Sequence, residues 1–181
     1  MQKRASPAIH SRDGRFPKTL DQTERAVCRA LVHLNANWWR YAKTDGAWTR
    51  AVKNTVGALG SKRGYRVYAA SSKYERNGEW VFDLGWFRMR GELVVDVPLA
   101  LESEWSPPDA MDDFQKLLVS RAHHRIMVLW SRRFSSAERL IASLIHQVAI
   151  YLGSRSGDRY LFCCWVDNPE QLFFCSHVVN R

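Results

Sequence analysis

The chain has 181 residues, of which 46% are hydrophobic and 12% aromatic, so it can bury the core of one domain and is too apolar to be disordered throughout. No apolar run approaches the roughly 20 residues of a membrane span, and no signal segment follows the basic start, so we expect a cytoplasmic protein without a membrane partner. The formal net charge of +9 favours a polyanionic partner such as nucleic acid, but does not separate DNA from RNA.

The first 60 residues predict a basic arm followed by two helices. Residues 1–18 contain two prolines and lack an apolar period, so we interpret them as a flexible arm before a single domain at 19–181. A capping box of Thr19 and Gln22 precedes apolar residues at three- and four-residue intervals, which predicts a long helix to about Tyr41. A second helical stretch runs from about 48 to 59.

The pattern changes to strands after residue 64. Short apolar segments predict strands at about 65–68, 79–89 and 93–105. The Asn77-Gly78 pair is typical of a two-residue hairpin turn. We therefore expect an antiparallel meander in this part of the chain.

After the meander, helices and strands alternate. Asp109 is expected to cap one helix, and Ser135 with Glu138 forms a capping box for another. The expected bounds are, in chain order, helix 109–124, strand 125–130, helix 135–152, strand 160–166 and strand 172–179. The whole succession is α-α-β-β-β-α-β-α-β-β.

Carboxylates within apolar strands are the strongest sign of chemistry. Glu102 and Glu104 lie two residues apart among Leu, Ala and Trp, a spacing that puts both side chains on one face of a strand. Burying both requires a positive partner, and a divalent cation with oxygen ligands provides one. Solvated glutamates at a strand edge are the alternative interpretation.

Asp83 is a third acid in an apolar strand. The meander makes its strand the antiparallel neighbour of the strand that carries Glu102. A tight turn at Arg90-Gly91 would leave Asp83 several residues away from Glu102 along the strand. Their convergence therefore requires a bulge or a longer loop, for which Pro98 is a suitable place because proline cannot donate to the ladder.

Lys116 lies on the first turns of the helix that follows these strands, and we expect that helix to return it to the carboxylates. Its charge would stabilise a phosphate transition state or orient an attacking water. A solvated lysine on the helix surface is the alternative.

Several basic residues are expected to surround the carboxylates and to bind the nucleic-acid backbone. The alternative is that a basic protein simply distributes its positive residues over the surface. The residues proposed for the backbone contact are Lys62, Arg63, Arg66, Arg88 and Arg90.

Asp83 on the second strand, Glu102-Ser103-Glu104 on the third, and the helix and strand that follow resemble the PD-(D/E)xK nuclease superfamily. The resemblance covers roughly residues 20–130. It implies a restriction-endonuclease-like α/β fold, with an α-β-β-β-α-β core around a mixed central sheet, to which the last helix and hairpin are additions. Glu104 stands where the family has lysine, as in its E-x-E variant, and no clear Pro-Asp pair precedes the strand acid.

The resemblance also implies an enzyme, a magnesium-dependent endonuclease in which manganese can substitute. It makes Asp83, Glu102 and Glu104 metal ligands, with Glu104 also able to orient water. Lys116 would be the electrostatic stabiliser of phosphodiester hydrolysis.

Duplex DNA is the expected substrate, in restriction or phage defence. Cutting both strands usually needs two active sites, so we expect a homodimer that joins through Trp38, Trp39 or the final hairpin. Two other hypotheses stay open: a non-catalytic nucleic-acid-binding or assembly protein with the same fold, and a nuclease or toxin that acts on RNA.

Overall fold

A computed structural model describes residues 16–37, 44–75, 80–168 and 170–180. Within these ranges, four helices surround a mixed sheet of six strands, and the order of the elements confirms the predicted succession. The elements are α1 (Gln22–Asn35), α2 (Asp45–Lys62), β1 (Arg66–Tyr68), β2 (Leu84–Arg90), β3 (Leu93–Glu104), α3 (Ala110–Val119), β4 (His124–Arg133), α4 (Phe134–Ile150), β5 (Arg159–Asn168) and β6 (Glu170–Val178).

The strands lie in the sheet in the order in which they occur in the chain. β1, β2 and β3 pair antiparallel, as the predicted meander requires. β3, β4 and β5 run parallel, because α3 and α4 carry the chain back between them, and β6 returns antiparallel to β5. The carboxyl ends of the three parallel strands therefore meet at one end of the sheet, which we name the carboxyl end. The opposite end is the amino end.

Helices cover both faces of the sheet. One buried cluster joins α1 and α2 to Leu99 and Leu101 of β3, and a second joins α3 and α4 to Ala100. Because side chains of a strand alternate between faces, Glu102 and Glu104 follow Ala100 on the face of α3. Trp105 joins the cluster on the other face.

The start of α1 differs from the prediction. Asp21 and Glu24 form the capping box, each side chain accepting a hydrogen bond from the other's backbone N–H, and Thr19 and Gln22 do not. Glu24 is also bound by Arg159 of β5. This long-range ion pair fixes the helix start two residues later than the local pattern indicated.

The bounds of α3 and α4 were also predicted imperfectly. α3 ends at Val119 rather than near 124, because the Arg125 guanidinium binds the carbonyl oxygens of Leu117 and Ser120 at the end of the helix. α4 begins at Phe134, directly after β4, so a capping box at 135 and 138 is wrong.

Some predictions fall outside the described residues. The Asn77-Gly78 turn, Trp38, Trp39 and most of the basic arm are among them. α1 itself ends at Asn35, before the predicted end. Among the helices that are described, none is both long and apolar enough to cross a membrane.

Candidate active site

Asp83 and Glu102 lie side by side at the carboxyl end. Leu84 pairs with Leu101, which places Asp83, the residue before β2, next to Glu102. The backbone N–H of Ser103 donates to Asp83 Oδ2 at 3.0 Å. The backbone N–H of Asp83 in turn lies against the Glu102 carboxylate and lowers its pKa. The two acids are thus fixed by hydrogen bonds across the strand pair.

A bulge in β3 produces this alignment, as the sequence required. The hairpin pairs Arg90 with Leu93, but the register shifts between Trp86 and Arg88 and again between Arg88 and Met89. Pro98 lies in β3 opposite the first shift, so the predicted location is confirmed. Without the extra residues in β3, Asp83 would face a residue nearer the amino end than Glu102.

Glu102 is the most deeply buried acid of the site. Only 1% of its side chain is exposed, and Oε1 has no hydrogen-bond partner among the described residues. Burial raises the pKa of Glu102 to about 8, and the negative charge of Asp83 pushes in the same direction, against the ammonium of Lys116. The site therefore has too little positive charge to hold Glu102 ionised at neutral pH.

Glu104 lies next to Asp113, near the N-terminus of α3. Burial raises the pKa of Glu104, and the hydrogen bond to Asp113 and its charge raise it further. The N–H groups of Ser106 and Trp105 donate to Glu104 and act in the opposite direction. Glu104 therefore holds a proton more readily than an exposed glutamate does. Asp113 was not predicted as a site residue, although its position three residues before Lys116 puts both on one face of the helix.

Lys116 reaches the acids from α3, as predicted. Its Nζ lies 2.6 Å from Asp113 Oδ1 and 3.6 Å from Glu102 Oε2. Partial burial lowers the pKa of Lys116, but the hydrogen bond to Asp113 and the charge of Glu102 outweigh this and raise it. Lys116 is therefore a charged group that remains half exposed at the mouth of the site.

Lys53 is a second lysine of the site, and the sequence analysis missed it. It reaches the site from α2, on the other face of the sheet, and its Nζ lies 2.8 Å from Asp83 Oδ1 and 3.3 Å from the carbonyl oxygen of Ala70. Its side chain is 7% exposed. The only local signal is that Lys53 shares a helix face with two small residues that allow close packing, Gly57 against Tyr74 and Gly60 against Trp86 of β2.

We name these six residues the carboxylate cluster: Asp83, Glu102, Glu104, Asp113, Lys53 and Lys116. Its four acids and two lysines leave two negative charges when all are ionised. Together with the unpaired Glu102 oxygen, this excess fits a divalent cation with oxygen ligands. In the described part of the chain, however, no three His, Cys, Asp or Glu side chains form a group that could hold a metal ion. Lys53 and Lys116 bind Asp83 and Asp113 in this structure and neutralise part of the negative charge.

The structure brings the predicted acids together only in part. Asp83 meets Glu102, whereas Glu104 meets Asp113, a residue outside the predicted metal set. For Asp83, Glu102 and Glu104 to share one cation, Asp83 would have to leave Lys53 and Glu104 would have to leave Asp113.

The predicted backbone-binding residues lie away from the cluster, contrary to expectation. Arg88 and Arg90 follow Asp83 by five and seven residues along an extended chain, which at about 3.3 Å per residue is roughly 17 and 23 Å. Arg88 pairs with Asp96, and Arg66 with Glu92, at the amino end. Lys62 and Arg63 end α2 on the same side, where Arg63 lies over the Trp86 ring. A phosphate bound by one of these basic residues would therefore lie far from the carboxylates.

In comparisons with known proteins, no family model, no curated protein and no solved structure matches the chain. Inferences about its chemistry therefore depend on the residues of the site.

Proposed function

We propose that this chain is a magnesium-dependent endonuclease of the PD-(D/E)xK type in its E-x-E variant. The order of elements supports the proposal, because α2, the three meander strands, α3 and β4 follow one another as in an α-β-β-β-α-β core. The pairing of β3 and β4 in parallel agrees with that arrangement.

The observation that carries the proposal is the pair Asp83 and Glu102. Two acids from neighbouring strands meet at the carboxyl end, and one buried oxygen of Glu102 has no hydrogen-bond partner among the described residues. A buried carboxylate oxygen is costly to leave unpaired, which is why such atoms are usually satisfied in folded proteins. A ligand that enters the site and supplies positive charge would satisfy it.

The residues of the cluster suit phosphodiester hydrolysis. A bound magnesium ion supplies Lewis-acid chemistry and a water of lowered pKa. Asp83 and Glu102 are the residues that would hold it, with Glu104 beside them. Lys116, half exposed at the mouth, stabilises the negative charge that develops on the phosphate. Glu104, whose pKa is raised by burial and by Asp113, takes up and returns a proton.

Duplex DNA is the substrate we propose, with a homodimer cutting both strands. The net charge of +9 supports a nucleic-acid partner. A basic pair, Arg132 and Arg133, ends β4 at the carboxyl end, where both side chains are exposed and nearer the cluster than the basic residues of the amino end. We assign the phosphate contacts to this pair.

A second candidate function is a nucleic-acid-binding protein that keeps the fold but does not cleave. One observation favours it: Lys53 lies 2.8 Å from Asp83 and occupies an acid that the nuclease needs for its metal. In this case the lysines are permanent structural partners. Magnesium would then neither bind nor change the stability of the protein.

Hydrolysis of supercoiled plasmid with and without magnesium tests the proposal. We expect cleavage with magnesium, with manganese as a substitute, and a loss of at least 100-fold in Glu102→Gln and Asp83→Asn, because Lewis-acid stabilisation is worth several kcal/mol. Glu92→Gln is the matched control, since Glu92 is an exposed acid of the β2–β3 hairpin and should leave the rate unchanged. Single-stranded DNA and RNA as substrates test the choice of duplex DNA.

The variants must keep their fold for this result to count, which circular dichroism and thermal melting verify. Equal cleavage by wild type and Glu102→Gln would exclude the proposed site. DNA binding without any cleavage, and without magnesium binding by calorimetry, would favour the non-catalytic protein.

A further inference from the structure

An open pocket of about 590 Å³ lies at the carboxyl end, on the face of the sheet that α1 and α2 cover. Four tryptophans line it, and three of their rings pack with centroids 5.0 to 5.8 Å apart. The tryptophans are Trp48, Trp105, Trp130 and Trp165. We name this cavity the tryptophan pocket.

The tryptophan pocket adjoins the carboxylate cluster through the sheet. Trp105 directly follows Glu104, and consecutive strand residues point to opposite faces. A nucleic-acid strand that crosses the carboxyl end can therefore meet the acids on one side of the sheet and the aromatic rings on the other.

In three of the four tryptophans the indole N–H is already satisfied within the protein, so these rings offer their apolar faces and edges to a ligand. Three indole N–H groups have partners inside the protein: Trp105 donates to Thr49 Oγ1 at 2.7 Å, Trp130 to Asp167 Oδ1 at 2.9 Å and Trp165 to Asn35 Oδ1 at 2.6 Å. The pocket is thus a rigid aromatic surface rather than a set of hydrogen-bond donors.

Three of the residues that line the pocket are acids, Asp45, Asp167 and Glu170. Trp130 binds one oxygen of Asp167 and so fixes the orientation of that carboxylate. Negative charge in the lining disfavours a phosphate inside the pocket. It favours a flat ligand that carries several N–H donors. Arg132 is exposed and follows Trp130 by two residues in β4, so it shares that strand face and offers a positive charge for the phosphate of such a ligand.

We propose that the tryptophan pocket binds a guanine base that is turned out of the DNA duplex, an inference that rests on the proposed function. Stacking of a base on an aromatic side chain is worth about 1–3 kcal/mol and is open to every base. Guanine alone among the common bases presents two neighbouring N–H donors, on N1 and N2, to a single carboxylate, and Asp167 is the carboxylate held ready for them. The pocket therefore selects guanine while the acids on the other face act on the backbone.

Equilibrium dialysis of the intact protein with GMP, AMP, CMP and UMP, without magnesium, tests this inference. The four nucleotides carry the same phosphate, so differences in affinity report the base. We expect GMP to bind at least tenfold more tightly than UMP. Trp130→Leu should weaken GMP binding at least tenfold, and Asp167→Asn should lower the GMP-to-UMP preference at least fivefold.

Trp80→Leu is the control, because Trp80 is an exposed tryptophan that lies against Tyr68 and Phe87, outside the pocket. It should leave all four affinities unchanged. Binding that Trp130→Leu does not weaken, no binding of any nucleotide at millimolar concentration, or tighter binding of tetramethylammonium than of GMP would overturn the inference.

The test is independent of catalysis. Selective GMP binding by a protein that does not cleave plasmid would support the tryptophan pocket and refute the nuclease. Magnesium-dependent cleavage that requires Glu102, in a protein that binds no nucleotide, would do the reverse.

Discussion

The sheet holds ionic side chains at both ends, and the two groups are built differently. At the amino end, Asp21, Glu24, His124 and Arg159 tie α1 to β4 and β5, and we name them the amino-end cluster. At the carboxyl end lies the carboxylate cluster. The amino-end cluster has as many basic residues as acids. The carboxylate cluster has two acids for each lysine.

Pairing within the amino-end cluster is dense. Arg159 lies against Glu24 and 3.4 Å from Asp21. His124 contacts oxygen atoms with both ring nitrogens, Asp21 Oδ2 at 2.7 Å and the carbonyl oxygen of Pro98 at 3.0 Å. Burial raises the pKa of Asp21, but the Glu24 N–H and His124 outweigh it and hold that pKa below its usual value.

The contrast distinguishes two electrostatic environments of buried acids. A matched cluster stabilises its ionised forms, and Asp21 has a lowered pKa. A cluster with excess acid destabilises them, and Glu102 has a pKa raised to about 8. Acids whose pKa is strongly raised by burial and by a neighbouring negative charge are found preferentially where a protein binds a ligand or performs chemistry.

The largest expected effect breaks the amino-end cluster. Arg159→Ala leaves the Glu24 carboxylate buried without its cation, so we expect a loss of about 3–5 kcal/mol in the free energy of unfolding. Urea unfolding measures it. Arg155→Ala, at an exposed site nearby, is the matched control and should change stability by less than about 0.5 kcal/mol. A loss below about 1 kcal/mol for Arg159→Ala would show that the amino-end cluster does not stabilise the fold.

The next prediction compares how the two clusters change the stability of the protein with pH. Asp21 has a lowered pKa, so its contribution to stability is present above its ordinary value of 3.8 and is lost as the pH falls below that value. Glu102 has a raised pKa, so its contribution is present below its ordinary value of 4.5 and is lost as the pH rises towards about 8. Without magnesium, stability should therefore decline between pH 5 and about 8.

Glu102→Gln is the variant that isolates this decline. A neutral amide should gain about 1–3 kcal/mol over wild type at about pH 8 and little near pH 5, since one pKa unit is about 1.4 kcal/mol. Thermal melting across this range, without magnesium, measures the gain. If wild type and variant had parallel stability profiles, the Glu102 carboxyl group would not be the source of the decline.

The sequence allowed the acids of the carboxylate cluster to be predicted better than its bases. Asp83 and Glu102 each stand out in an apolar strand, and strand pairing follows from simple counting once a bulge near Pro98 is included. Lys53 was not predicted as a site residue because it lies some 30 residues before Asp83, on a helix that covers the other face of the sheet. The local sequence pattern around Lys53 does not indicate that its side chain contacts Asp83.

The basic residues were misplaced for a related reason. Arg88 and Arg90 are close to Asp83 in the sequence, but a strand moves the chain about 3.3 Å per residue and carries them to the amino end. The start of α1 was also misplaced because local sequence does not reveal long-range contacts. The pair of Glu24 and Arg159, which fixes this start, joins residues 135 positions apart. Local periodicity predicted which elements form, and contacts between distant residues decided where they begin and what they bind.

The smallest expected effect concerns the lysine that the sequence did not reveal. Lys53→Met removes the ammonium that lies 2.8 Å from Asp83 and so releases this acid for a cation. We expect magnesium to bind about tenfold more tightly, a change of about 1.4 kcal/mol, by titration calorimetry. Lys62→Met, an exposed lysine on the same helix, is the matched control and should leave the affinity unchanged. An unchanged affinity in Lys53→Met would mean that Lys53 and magnesium do not compete for Asp83, and the carboxylate cluster would then resemble the amino-end cluster in being a closed structural group.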